Sequence, residues 1–343
     1  MKKLWCIFIL LLLGSCSRTT TINLKPKTFS ATPKNVVWIQ IPGFELEHAA
    51  MVRFASTESR NLLPIEDVDC IGSAWSYNYY DLRPDAVTSA LSQITGSPDI
   101  KNNCAGEERY PAWQYYRTLG YETYAIESGV NKATSLLSHE QCTQGKFLDG
   151  LTLLTMQVAP TKKSENHFHY QSNKKLQINQ VNWDQTCQKD NRCYATILNN
   201  IRSVWNDLNS SGRGVFLLVR NFEYLEHLKN GQVQLAREVL SEVDKVVSFI
   251  REQAGSEQTL ILVTGAQTQS LRLPKRGAEW IEFEKKGKNV VLERSRLLSP
   301  VLASGPTSEN FCGVYDDSRL LFRQFYRPEA PEFSLEKIIE LGN

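Results

Sequence analysis

His167-Phe168-His169 sets two imidazoles at alternate positions, which on an extended strand puts both on one side at a spacing able to chelate zinc. Lys162, Lys163, Lys174 and Lys175 surround them, so a solvated hairpin is the plainer reading of the same stretch. Gly72-Ser73-Ala74-Trp75-Ser76 holds a serine among small residues, but the spacing is not that of a serine-hydrolase elbow and no strand leads into it. It reads as loop. Just beyond, Trp75, Tyr77, Tyr79 and Tyr80 form an aromatic cluster near Cys70, read either as packing or as a stacking surface for a partner.

The cysteines divide by position. Lys2 and Lys3 precede an apolar run of about ten residues, too short to span a bilayer, which ends at Gly14-Ser15-Cys16. Leu13-Gly14-Ser15-Cys16 resembles the bacterial lipobox, which implies cleavage before Cys16, acylation of that cysteine and attachment to a membrane by lipid. Ser17 in place of Asp resembles an outer-membrane address, with the chain facing the periplasm or the cell surface. Residues 1–15 are thus expected to be a signal peptide, 16–34 a flexible tether rich in Thr, Lys and Pro, and 35–343 a single α/β domain. Cys6 leaves with the signal, so Cys70, Cys104, Cys142, Cys187, Cys193 and Cys312 remain in an oxidising compartment. Cys187 and Cys193 enclose a short polar segment and are expected to pair; the wiring of the other four is open. No CxxC spacing favours metal binding.

The chain has 39 basic and 37 acidic residues, and loss of Lys2 and Lys3 balances them. Nucleic acid is therefore not an expected partner, since it wants a strong positive surplus.

The elements that must position any site are legible as patterns. Val36-Val37-Trp38-Ile39-Gln40-Ile41 is a continuous apolar run ending at Pro42-Gly43, as a strand buried on both faces should be. Residues 214–219 and 259–264 repeat it. Between them Ala236, Val239, Leu240, Val243, Val246, Val247 and Ile250 recur at helical spacing, making a strand-helix-strand crossover. A helix over 111–119 stops at Gly120 before a strand over 123–127. The expected fold is α/β, a mostly parallel central sheet with helices on both faces and ligands at the carboxyl ends of its strands.

In order and spacing these pieces resemble the alkaline phosphatase superfamily, which includes sulfatases and phosphodiesterases. Pro42-Gly43 stands where that family's first strand ends in Asp-Gly. The stretch from Asp85-Ala86-Val87-Thr88-Ser89 to Thr95-Gly96 is similar to its nucleophile segment, and Leu119-Gly120-Tyr121 to its Gly-Tyr element. Glu223-Tyr224-Leu225-Glu226-His227 matches a strand with Asp-x-x-x-His, the helix around Asp244 one with a central Asp, and Gly265-Ala266-Gln267 the run into Asp-His-Gly. Ser299 to Pro306 resembles the late strand ending near Gly-Pro.

The resemblance implies hydrolysis of phosphoric or sulfuric esters with divalent ions held by carboxylates and imidazoles. Here Pro42, Ala86, Ala266 and Gln267 stand where ligands or the nucleophile belong, and only Glu223 and His227 keep donor chemistry. The expectation is a non-catalytic, lipid-anchored envelope domain without metal or other cofactor, binding an envelope glycan, an anionic group or a protein near Trp75, Tyr77, Tyr79 and Tyr80. Two other readings remain: a plain scaffold, or a metal-dependent hydrolase with relocated donors. For the latter, Glu223, His227 and the His167/His169 pair would serve, or Glu45, Glu47 or His48 after a loop shift, with Asp85, Thr88 or Ser89 in the nucleophile region.

Overall fold

The computed structural model describes residues 32–53, 62–101, 104–105, 110–142, 146–160, 167–171, 175–188, 193–209, 212–255, 257–275, 277–286, 288, 290–293 and 297–325. The signal peptide, Cys16 and nearly all of the tether lie outside them.

In chain order the strands are β1 (Asn35–Pro42), β2 (Cys70–Trp75), β3 (Ile100–Lys101), β4 (Cys104–Ala105), β5 (Glu122–Ser128), β6 (Thr152–Thr155) and β7 (His167–Tyr170). They continue as β8 (Val181–Asp184), β9 (Val215–Asn221), β10 (Thr259–Ala266), β11 (Leu271–Arg272), β12 (Val291–Leu292), β13 (Leu298–Ser304) and β14 (Gly313–Asp316). The helices are α1 (Ala49–Arg53), α2 (Ala86–Thr95), α3 (Ala112–Thr118), α4 (Ile197–Asn209), α5 (Glu223–Lys229), α6 (Val233–Ala254), α7 (Gly277–Lys286) and α8 (Leu320–Arg323).

Ten strands form one sheet in the order β14-β2-β13-β10-β1-β9-β5-β6-β8-β7, and only β13 runs against the rest. The sheet is mostly parallel, as the apolar runs require. β1 lies at its middle, paired to β10 and β9, and all eight of its residues are buried. The α5-α6 crossover joins β9 to β10 by passing over β1. Alternate β1 residues feed two cores: Val37, Ile39 and Ile41 pack with α4 and α6, Val36 and Trp38 with α2 and α3.

Two expectations fail locally. Gly72-Ser73-Ala74-Trp75-Ser76 is not loop: its first four residues lie in β2, whose small residues allow Gly72 to pass against the carbonyl of Phe311. His167-Phe168-His169 lies in β7, which pairs parallel to β8 at a sheet edge, so it is not a hairpin. The hairpin reading failed because parallel partners are distant in sequence and leave no turn signal.

Cys187–Cys193 forms a local disulfide, and Cys70–Cys312 ties the start of β2 to the residue entering β14. The side chains of Cys104 and Cys142 lie outside what is described.

One rung below the carboxyl ends of the central strands runs a row of fully buried polar residues, in register from strand to strand: Thr264, Gln40, Arg220, Glu127 and Thr155. Gln93 of α2 satisfies one end, its Oε1 accepting from Gln40 Nε2 at 3.0 Å and Thr264 Oγ1 at 2.9 Å. At the other end Arg220 Nη1 lies 3.4 Å from Glu127 Oε2, which also accepts from Leu136 N. Burial lowers the Arg220 guanidinium to about 10 in spite of this carboxylate. Removing one member of such a pair strands the other charge, whereas removing both does not. Arg220→Met is therefore expected to cost about 3–5 kcal/mol by urea unfolding, and adding Glu127→Met to restore most of it.

Candidate functional site

The carboxyl ends of the parallel strands are where the sequence places a site. Pro42 pairs with Ala266 at the sheet's end, on the face that α2 covers. α2 begins with Ala86, capped by Asp85, whose carboxylate accepts from Thr88 N at 2.8 Å. The positive end of this helix, the usual seat for an anion, is thus met by the chain's own carboxylate.

Between these elements the space is closed by apolar packing. Ala86, Val87, Phe222, Leu225, Ala266 and Val130 are all buried and belong to one core cluster. Gly43 turns the chain out of β1 at φ 86°, and a Cβ there would stand 2.8 Å from Leu225 Cδ1, so Leu225 lies directly on the turn. Burial of such a side chain is worth about 1.5–3 kcal/mol. At the end of β1 itself the chain is thus packed by an apolar side chain.

The remaining positions diverge. Glu223 lies on α5, not on a strand, against Gly129, and its Oε1 accepts from Ser128 Oγ; burial raises its carboxyl, opposed by that hydrogen bond. His227, one turn on, is half-buried with Nδ1 2.8 Å from Gln232 Oε1. Gln267 adopts a left-handed backbone, φ 49°, and its buried Oε1 has no hydrogen-bond partner among the described residues. Asp244 is nearly buried within α6 and accepts from Ile65 N at 2.8 Å, which makes it a tie for the segment after α1. Gly305-Pro306 follows β13, which is antiparallel, so it lies at the opposite end of the sheet from Pro42 and Ala266.

The loop shift considered for Glu45, Glu47 and His48 places Glu45 and His48 together, but in the core. His48 Nδ1 accepts from the backbone N–H of Glu45 at 3.2 Å and lies 2.8 Å from Tyr224 Oη. A ring nitrogen that accepts from a backbone N–H carries no proton, so the neutral imidazole bears its hydrogen on Nε2, 3.9 Å from Glu45 Oε2. His167 and His169 share a strand, yet their side chains are not among those described. Among the described residues, no three His, Cys, Asp or Glu side chains converge where a metal ion could sit. Divalent ions of the kind the resemblance implies do not fit a space lined by Pro42, Ala86, Phe222 and Ala266, whose side chains carry no donor.

The described side chains leave cavities at two places: one of about 370 Å³, past the carboxyl ends of β5, β6 and β8, is lined by Lys132, Ser135, Leu137, Ser138, Gln157, Val158, Pro160 and Trp183. On the sheet face away from α2, at the β14-β2-β13 end, a second cavity of about 590 Å³ is lined by Glu45, Leu46, Ile71, Gly72, Ser73, Trp75, Arg83, Leu297, Leu298 and Pro300. Among the described residues no helix covers this face: Ile71, Trp75 and Val314 are 54%, 41% and 60% exposed. Trp75 accordingly looks into this cavity and not over the strand-end cleft, because β2 alternation sends Ala74 to the α2 side and Trp75 to the other. Tyr79 and Tyr80 are exposed on the loop that follows, and Tyr77 is half-buried.

Two further features had no sequence signal. Arg83 joins the cavity only because the loop after β2 returns to it. Asp317 is fully buried, with its carboxyl oxygens 3.0 Å from Ser89 Oγ and 3.0 Å from Ser92 Oγ on α2. From Ser89 the hydroxyls continue through Ser76 and Ser299 to Thr268, each step between 2.9 and 3.2 Å.

No family model matches the sequence, and no curated protein does. Solved structures do match. An alkaline phosphatase from the Antarctic bacterium TAB5 superposes with a TM-score of 0.61 at 12% identity, over 86% of this chain and 98% of that one. The fold is that of the alkaline phosphatases. The Thermus thermophilus alkaline phosphatase agrees, with a TM-score of 0.62 at 10% identity over 91% of this chain and 95% of its own. A lipoteichoic acid synthase from Listeria monocytogenes matches at 0.50 and 9% identity, over 86% and 72%. On this fold the turn at Gly43 is packed by Leu225, and the larger of the two cavities described above lies on the sheet face away from α2.

Burial raises the Asp317 carboxyl from its ordinary 3.8 to about 8, opposed by hydrogen bonds from Ser89, Ser92 and the Ser318 backbone. The folded chain then keeps a proton that the unfolded chain releases above about pH 4, so stability falls as pH rises from about 4 to 8 and levels beyond. The slope from this group is at most about 1.4 kcal/mol per pH unit. Asp317→Asn keeps the oxygen acceptor and is expected to flatten that slope in unfolding curves measured across pH 4–9; an unchanged slope would assign it to other groups.

Proposed function

We propose that this chain is a lipid-anchored cell-envelope protein that keeps the alkaline phosphatase fold without hydrolysing esters, and that it acts by binding. The observation supporting this is the donor-free chemistry of the central strand ends: Pro42, Ala86 and Ala266 carry no metal-binding group, Leu225 lies on the turn at Gly43, and no three His, Cys, Asp or Glu side chains converge among the described residues. Hydrolysis in this fold would require oxygen and nitrogen donors converging on charge that develops in the transition state. The two donors kept, Glu223 and His227, one turn apart on α5, are engaged by Ser128 and Gln232. In this reading membrane attachment comes from acylated Cys16, in accord with the absence of any helix among the described residues long and apolar enough to cross a membrane.

The mature protein, purified without chelator, is expected to carry well under one zinc, manganese or calcium per chain by plasma emission. It is expected to cleave 4-nitrophenyl phosphate and sulfate no faster than its His227→Ala variant does, with or without added ions. Stoichiometric metal, or activity that His227→Ala removes, would establish the relocated-ligand hydrolase instead. Mass spectrometry of the mature amino terminus is expected to show an acylated Cys16; an unmodified cysteine or a cut elsewhere would refute the anchor.

A further inference from the structure

We infer that the cavity beneath Trp75 is a binding site for an uncharged oligosaccharide. The inference rests on the binding role proposed above and names its ligand class.

The cavity joins an apolar floor, Ile71, Leu298 and Pro300, to one indole, one carboxylate and one guanidinium. A sugar ring has an apolar C–H face that packs on an aromatic plane and a rim of hydroxyls, each both donor and acceptor. Glu45 offers acceptors and Arg83 offers donors, and their formal charges cancel. An anion would meet Glu45 and a cation would meet Arg83. An acyl chain would bury both without giving either a hydrogen bond, which costs free energy. A neutral ring bearing adjacent hydroxyls satisfies all three groups.

The Glu45 carboxylate and the backbone of the loop that carries Arg83 are also held in place before any ligand arrives. Ser270 Oγ donates to Glu45 Oε2 at 3.0 Å, and His48 and Tyr224 stand behind it. Trp75 and Arg83 are the two ends of one loop, which is pinned from within. Asn78 Oδ1 accepts from Tyr80 N at 2.9 Å, Asn78 Nδ2 donates to Ile100 O at 3.2 Å, and Tyr79 N donates to Pro98 O at 3.0 Å. Exposed aromatics on a fixed loop lose little freedom on binding.

The test is calorimetric titration of the full mature chain in lipid nanodiscs with chitotetraose, cellotetraose and maltotetraose, in metal-free buffer. At least one is expected to bind at one site per chain, with Trp75→Ala weakening it about tenfold or more and Arg83→Ala weakening it as well. Circular dichroism of both variants is expected to match the parent, since both side chains are exposed or nearly so. No binding by any of the three up to about 10 mM would overturn the inference. So would binding indifferent to Trp75→Ala, or a preference for a phosphorylated sugar, a peptide or a fatty acid. Ester hydrolysis would defeat the non-catalytic reading without touching this result, so the two fail separately.

Discussion

The side chain of Leu225 lies on Gly43, and much of what distinguishes this molecule follows from that contact. In an open parallel sheet the loops beyond the strand ends diverge and leave a crevice. Here the turn out of β1 has no side chain, α5 starts at once after β9, and Leu225 lies directly on that turn. Open space among the described residues lies to the sides of this point, past the ends of β5 and β6 and on one face of the β14-β2-β13 end.

Beneath that apolar lid the sheet keeps a polar row that a plain core would not contain. Thr264, Gln40, Arg220, Glu127 and Thr155 lie side by side on adjacent strands, wholly out of water. Their hydrogen bonds reach upward to Gln93, Ser135, Leu136 and Gln157, so the row fastens α2 and the loop after β5 to the sheet. On the far side the Asp317 carboxyl and its chain of hydroxyls do the same for the segment after β14. Apolar closure and polar fastening act together: the first excludes water, and the exclusion strengthens the second.

The cavity beneath Trp75 is the converse case. It is bounded by the loop after β1, by β2 and by β13, the last more than two hundred positions beyond the other two, and Cys70–Cys312 ties the start of β2 to the residue entering β14. No local pattern announces it, and Trp75 was legible only as one aromatic among several.

The sequence by itself determined the class of fold and what the strand ends lack. Continuous β-branched runs ending at glycine have to be strands buried on both faces, and the spacing from Ala236 to Ile250 has to be a helix on that sheet, since each pattern is set by local periodicity. That Pro42, Ala86 and Ala266 offer no donor is equally local, because proline and alanine side chains carry none wherever they stand. Tertiary structure alone decided that Gly72 to Trp75 is a strand, that His167 and His169 sit on a parallel edge, that Leu225 lies on the turn at Gly43, and that Glu45, Trp75 and Arg83 share a cavity. These depend on partners distant in the chain, whose pairing is chosen by packing and burial across the whole sheet and leaves no periodic trace in either partner.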